Sequence, residues 1–145
     1  MFALIILLMP KHLSLIEYFT SSLLNIIIQL ITDVYFQFSY HQYGYFSRNQ
    51  LDLQSWLIFF LIYPAINIIF INFYPVKRKA LLKAVYILAF SVFSVVYEWL
   101  SLKAGAFYYT GWKLWYSALF YPALFIMLWL NLKIVQKVLS VSRLQ

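Results

Sequence analysis

Most charged positions in this chain fall in short connectors between long apolar runs, instead of alternating with apolar residues along amphipathic faces. A hydrocarbon core of about 30 Å is crossed by roughly 20 helical residues. Four runs reach that length, near Leu13–Phe38, Leu53–Tyr74, Leu81–Leu102 and Leu114–Leu132. The opening Met1–Met9 is apolar but too short to span, and Pro10-Lys11 ends it. It carries no basic residue ahead of its apolar run and no small-x-small cleavage site behind it, so it reads as an interfacial or partly inserted helix, not a signal peptide. A longer first span is the alternative. The pattern predicts one all-α integral membrane domain over 1–145, a bundle of about four transmembrane helices with a short apolar N-terminal segment.

Composition strengthens this picture. Hydrophobic residues make up 65% of the chain and charged ones 10%, against roughly 25% charged in soluble domains. A soluble fold of 145 residues has no means of covering that much apolar surface. The formal net charge of +7 does not point to nucleic acid, because the cations sit beside the apolar runs and act as topology signals. Lys11, the cluster Lys77, Arg78, Lys79 and Lys83, and the group Lys133, Lys137 and Arg143 fall on one side; Arg48, Lys103 and Lys113 fall on the other. By the positive-inside rule both termini are expected in the cytoplasm. With no cysteine, disulfides, thiolate metal sites and thiol catalysis are excluded.

The two outer connectors, Ser39–Asp52 and Lys103–Lys113, hold Tyr40, Tyr43, Tyr45, Phe46, Phe107, Tyr108, Tyr109 and Trp112, flanked by Trp56, Trp99 and Trp115. This reads as an aromatic belt at one interface. Gly44, Gly105 and Gly111 lie in the same connectors, as turn chemistry predicts, so no glycine remains within a span for close GxxxG packing.

A short repeat links the second and fourth spans. Tyr63-Pro64-Ala65 recurs as Tyr121-Pro122-Ala123, preceded by Trp56 or Trp115 and followed by Asn72 or Asn131. Each copy follows a span with a carboxylate near its outer end, Asp33 or Glu98. Two related helical hairpins inserted in parallel give this pattern. Independent kinks at two prolines, whose freed carbonyls neighbouring helices must satisfy, give it too. Either way, Asn67 and Asn72 lie near one kink.

Candidate chemistry is confined to polar stripes inside the spans. Asn25, Gln29 and Asp33 recur every four residues, with Ser22 extending the stripe, and Ser91, Ser94 and Glu98 repeat the arrangement in the third span. A charge at mid-membrane costs roughly 2.5–3.5 kcal/mol, so such a residue is a functional candidate. Asp33 and Glu98 lie about 30 Å and about 26 Å along their helices at 1.5 Å per residue, which places both near the outer interface, where the cost is smaller. In one reading the two carboxylates face each other and bind a cation, a proton or a polar ligand head, with Asn67, Gln29 and Asn25 nearby. In the other they form structural ion pairs with Arg48, Lys103 or Lys113. Glu17 and Asp52 read as ordinary interface residues. His12 and His41 lack the spaced partners of a zinc or haem site, and no catalytic or cofactor motif is present, so no metal, cofactor or catalytic residue is assigned.

From Asp33-Val34-Tyr35 through Tyr63-Pro64-Ala65-Ile66-Asn67 and Tyr97-Glu98-Trp99 to Gly111-Trp112-Lys113-Leu114-Trp115-Tyr116, the chain resembles an uncharacterised family of small polytopic membrane proteins from spore-forming Gram-positive bacteria. The resemblance covers roughly Asp33 to Lys133 and implies a bacterial cell membrane or spore membrane, without an activity. The N-terminus here is shorter than the first segment of that family, which leaves the role of Met1–Met9 open. Three functions stay in view: a non-enzymatic component that binds or scaffolds a lipid, a small ligand, a second copy or another membrane protein; a small transporter or channel subunit with a carboxylate-lined polar site; and an enzyme on a lipid or isoprenoid substrate using Asp33 and Glu98 as acid and base.

Overall fold

The computed structural model describes residues 2–46 and 58–142. Helix α1 (Phe2–Leu8) precedes α2 (Leu15–Asp33), which runs on as a π-helical segment, Val34–Ser39. Strand β1 (Tyr43–Tyr45) follows, and after it a second π-helical segment, Ile58–Ile62, leads into α3 (Tyr63–Asn72). Helix α4 (Ala80–Lys103), strand β2 (Phe107–Tyr109) and helix α5 (Leu114–Ser142) complete the order. Among the described residues, α2 with its π-helical extension, α4 and α5 are long and apolar enough to cross a membrane. Only 11%, 11% and 17% of their apolar windows is buried within the protein, so most of that surface needs an apolar surrounding from outside. The expected second span, Leu53–Tyr74, is described from Ile58 onward as a shorter apolar helix; Trp56, Asp52 and Arg48 lie outside the described residues.

Local sequence explains where the helices start and stop. Ser14 caps α2 through a capping box with Glu17, the Glu17 carboxylate accepting from the Ser14 amide at 2.7 Å. Glu17 is therefore a buried structural group and not the ordinary interface residue expected, and its other oxygen accepts from Gln136 of α5 at 2.8 Å. Helix α4 ends in a Schellman arrangement: the amide of Ala106 donates to Ser101 O and that of Gly105 to Leu102 O. Gly105 has φ +72°, where a side chain would strain the backbone. Pro64 sits in the first turn of α3, and Pro122 lies inside α5 without ending it.

Helix α5 continues to Ser142, past the span expected near Leu114–Leu132, a length of about 44 Å at 1.5 Å per residue. The last turns thus extend past a hydrocarbon core of about 30 Å, and Lys133 bends over the Trp129 ring at 4.2 Å. The outer connectors are also not plain turns. Tyr43-Gly44-Tyr45 and Phe107-Tyr108-Tyr109 pair antiparallel as a short ribbon, with Tyr43 opposite Tyr109 and Tyr45 opposite Phe107. Alternate residues share a face of a strand, so these four rings lie on one side and Tyr108 on the other, its ring crossing over Gly44.

The core sits toward the end of the bundle away from the ribbon, around Phe70, which is fully buried. Its ring packs on Phe125 at 4.5 Å, Phe90 at 5.2 Å and Tyr86 at 5.4 Å, joining α3, α4 and α5. Phe70→Ala is expected to cost about 3–5 kcal/mol, which thermal unfolding of the purified protein should register as a large fall in Tm. Mid-bundle polar groups are tied together as well: Asn67 donates to Ser21 O at 2.8 Å and Asn131 to Ser21 Oγ at 3.3 Å. Asn72 fastens the N-terminal segment, accepting from the His12 amide and the Tyr18 hydroxyl and donating to Pro10 O at 3.0 Å.

Candidate functional site

Two carboxylates are held at the ribbon end of the bundle, each by hydroxyls delivered from the same kinds of element. Asp33, the last α-helical residue of α2, accepts at Oδ1 from Tyr43 of β1 at 2.8 Å and from Tyr45 at 3.4 Å. Its Oδ2 accepts from Gln29, one turn below, at 2.9 Å, and the Tyr45 hydroxyl meets that of Tyr63 at 3.1 Å. Glu98, in the last turns of α4, accepts at Oε1 from Tyr109 of β2 and from Ser117 Oγ at 2.7 Å, and at Oε2 from Tyr121 at 2.6 Å. Ser117 in turn accepts from the Trp112 indole at 2.8 Å, which fixes that ring.

The two sets correspond. Each carboxylate lies in the last turns of a long α-helix, takes a tyrosine from the following strand, and has the tyrosine of a Tyr-Pro-Ala motif in its network. The strand tyrosines, Tyr43 and Tyr109, are cross-strand partners. Burial first, and then the neighbouring Asp33 carboxylate, raises the Tyr43 phenol well above its ordinary range; burial and then the hydrogen bond to Glu98 do the same for Tyr109. Both phenols therefore stay protonated donors at any physiological pH. The chain changes from α to π next to Asp33 and from π to α at Tyr63, and π turns are frequent at functional sites.

Under the ribbon lies a cavity of about 250 Å³. Glu98 lines it with Gln29, Thr32, Ser101 and Ser117, and the remaining wall is largely aromatic, including Phe36, Tyr63, Tyr97, Phe107, Trp112 and Phe120. Trp112 is wedged by Phe36 at 5.0 Å and Tyr43 at 5.6 Å, both edge-on.

The five sequence candidates separate. Glu98 and Gln29 line the cavity, while Asp33, only 2% exposed, lies behind Tyr43 and Tyr45 and does not reach it. Asn67 is turned toward Ser21, and its Oδ1 is buried without a partner among the described residues. Asn25 lies one turn below Gln29, half-buried, with its Nδ2 likewise unpartnered. Ser91 and Ser94 are buried and donate back to Ile87 O and Phe90 O of their own helix. The structural ion pairs are not formed with Lys103 or Lys113: hydroxyls and an amide occupy both carboxylates, and Lys103 lies over the Trp99 ring at 5.9 Å. Arg48 lies outside the described residues.

Tyr43, Tyr45, Tyr109, Ser117 and Tyr121 carry this chemistry and were not singled out as ligand-binding residues. Their signal was the repeat itself, a tyrosine ten or eleven residues after each carboxylate followed by Tyr-Pro-Ala in the next helix. Compared with known proteins, the chain matches no family model, no curated protein and no solved structure.

Proposed function

We propose that this chain is a non-enzymatic, multi-pass membrane protein that binds a small ligand or a lipid headgroup in the cavity beside Glu98. One observation carries the reading: a carboxylate 92% removed from solvent borders an aromatic cavity of about 250 Å³, with hydroxyl donors and no cation as its partners among the described residues. A buried charge normally has a counter-charge or a metal; among the described residues Asp33 lacks one as well but borders no cavity, whereas beside Glu98 there is room for a ligand to supply it. The volume lies just below the roughly 300–1,000 Å³ of drug-sized sites, so the occupant is the size of a headgroup. An acid–base pair of Asp33 and Glu98 finds little support, since Asp33 does not border the cavity. Mass spectrometry of the protein purified in native lipid tests the proposal. One molecule or lipid class should be enriched over the bulk membrane, and a profile identical to the bulk counts against a bound ligand.

The cation distribution supports a ribbon end on the outer face and cytoplasmic termini, and the family resemblance supports a bacterial cell or spore membrane. Lipid, a second copy or another membrane protein would cover the exposed apolar helix faces. Single cysteines placed in the 77–83 connector and at Arg143 should resist impermeant thiol reagents added outside intact cells and react after lysis. Labelling of either from outside would overturn this topology.

A further inference from the structure

We propose that the ligand is a substituted ammonium ion, its charge against Glu98 and its alkyl groups against the aromatic walls; the inference rests on the ligand-binding reading above. Among the described residues lining the cavity, Glu98 is the one ionisable carboxylate and no Lys, Arg or His is present, so the site offers an anion no counter-charge. Ten of the eighteen lining residues are aromatic, which decides between kinds of cation. Hard metal ions need about six or more oxygen ligands. Here the oxygens nearest Glu98 are those of Tyr109, Ser117 and Tyr121, three neutral hydroxyls and too few for such a shell. A substituted ammonium is weakly hydrated, carries its charge on alkyl surface and is attracted to ring faces, tryptophan most strongly.

Trp112 is built for this role. Its indole N–H is spent on Ser117 Oγ at 2.8 Å, and Phe36 and Phe120 pack against its ring at 5.0 Å and 5.7 Å. The ring is therefore oriented before any ligand arrives, so little ordering cost is left for binding. Ser117 joins the two halves of the site, accepting from Trp112 while donating to Glu98 at 2.7 Å. A trialkylammonium head would find the carboxylate and the fixed ring linked through a single hydroxyl.

The same chemistry is offered by a free amine and by an ammonium-bearing lipid headgroup. The full chain in nanodiscs of phosphatidylglycerol, which has no ammonium group, is titrated with radiolabelled choline and separately with tetramethylammonium. Competition with 3,3-dimethyl-1-butanol, the uncharged isostere of choline, needs no variant and so does not depend on a mutant folding. Saturable binding that the isostere fails to displace at tenfold excess is expected, with at least tenfold weaker binding by Glu98→Gln. Loss of choline binding when phosphatidylcholine is added to the disc identifies a lipid headgroup as the source, and unchanged binding identifies a free amine. Equal displacement by the neutral isostere, or no binding of either ammonium probe, overturns the inference. The ligand-binding reading survives that result if native-lipid purification still yields an enriched molecule, and falls with it if none is found.

Discussion

Glu98→Gln should abolish ligand-dependent function while membrane abundance stays close to that of the unaltered protein. The amide keeps the volume and still offers one carbonyl oxygen to Ser117 and Tyr109, so most of the packing around α4, β2 and α5 survives. The other position becomes an N–H donor facing the Tyr121 hydroxyl, which can turn to accept. What disappears is the charge toward the cavity. Hydrogen bonds to charged groups are worth about 1.5–3 kcal/mol against about 0.5–1.5 for neutral ones, a difference of about 1–1.5 kcal/mol, roughly five- to tenfold in affinity, before direct ion pairing is counted. Measuring abundance by immunoblot beside phenotype separates the outcomes. Normal levels with normal activity would remove Glu98 from the site, and a joint collapse would make it structural.

Asp33→Ala should give the opposite pattern, a severalfold loss of abundance that no added ligand restores. Asp33 is 2% exposed and accepts from Tyr43 at 2.8 Å and from Gln29 at 2.9 Å; truncation leaves the Tyr43 hydroxyl without its carboxylate acceptor, while the Gln29 amide keeps the Tyr45 hydroxyl at 3.2 Å. A stranded buried donor costs about 1–3 kcal/mol, a large share of the roughly 5–15 kcal/mol that holds a domain together. Asp33→Asn, which keeps an acceptor for Tyr43, should recover most of the loss. Thermal unfolding of the three forms in detergent measures the order directly, and an Asp33→Ala protein as stable as the original would contradict the structural role assigned to this carboxylate.

The apolar runs and their punctuation were legible because they depend on local chemistry. Long apolar runs mark helices, and Gly105 falls in a connector where turn chemistry is expected; the capping box of Ser14 and Glu17 was not legible, because Glu17 reads as an interface residue. Glu98 and Gln29 were also legible, since a polar stripe inside an apolar helix has few explanations. Asn25 was drawn in by the same stripe and Asn67 by its place near a proline, yet neither lines the cavity, which sequence spacing along one helix does not resolve. The ribbon was not read, because three-residue strands are too short for a period-two signal to stand out and their pairing is set across more than sixty residues. An aromatic connector beside an apolar run is usually an interface anchor. Here Tyr43 and Tyr109 turn inward because two buried carboxylates take donors from them.

The central claim, an occupied cavity beside Glu98, is tested most directly by placing a photocrosslinking amino acid at Phe120, which lines the cavity, and irradiating cells in their native membranes. The same amino acid at Leu119, exposed at 66% on the outer face of α5, reports ordinary lipid contact. One discrete adduct mass is expected at 120, absent at 119 and lost when Glu98 is changed to Gln. Identical lipid adducts at both positions, unaffected by that change, would contradict the claim.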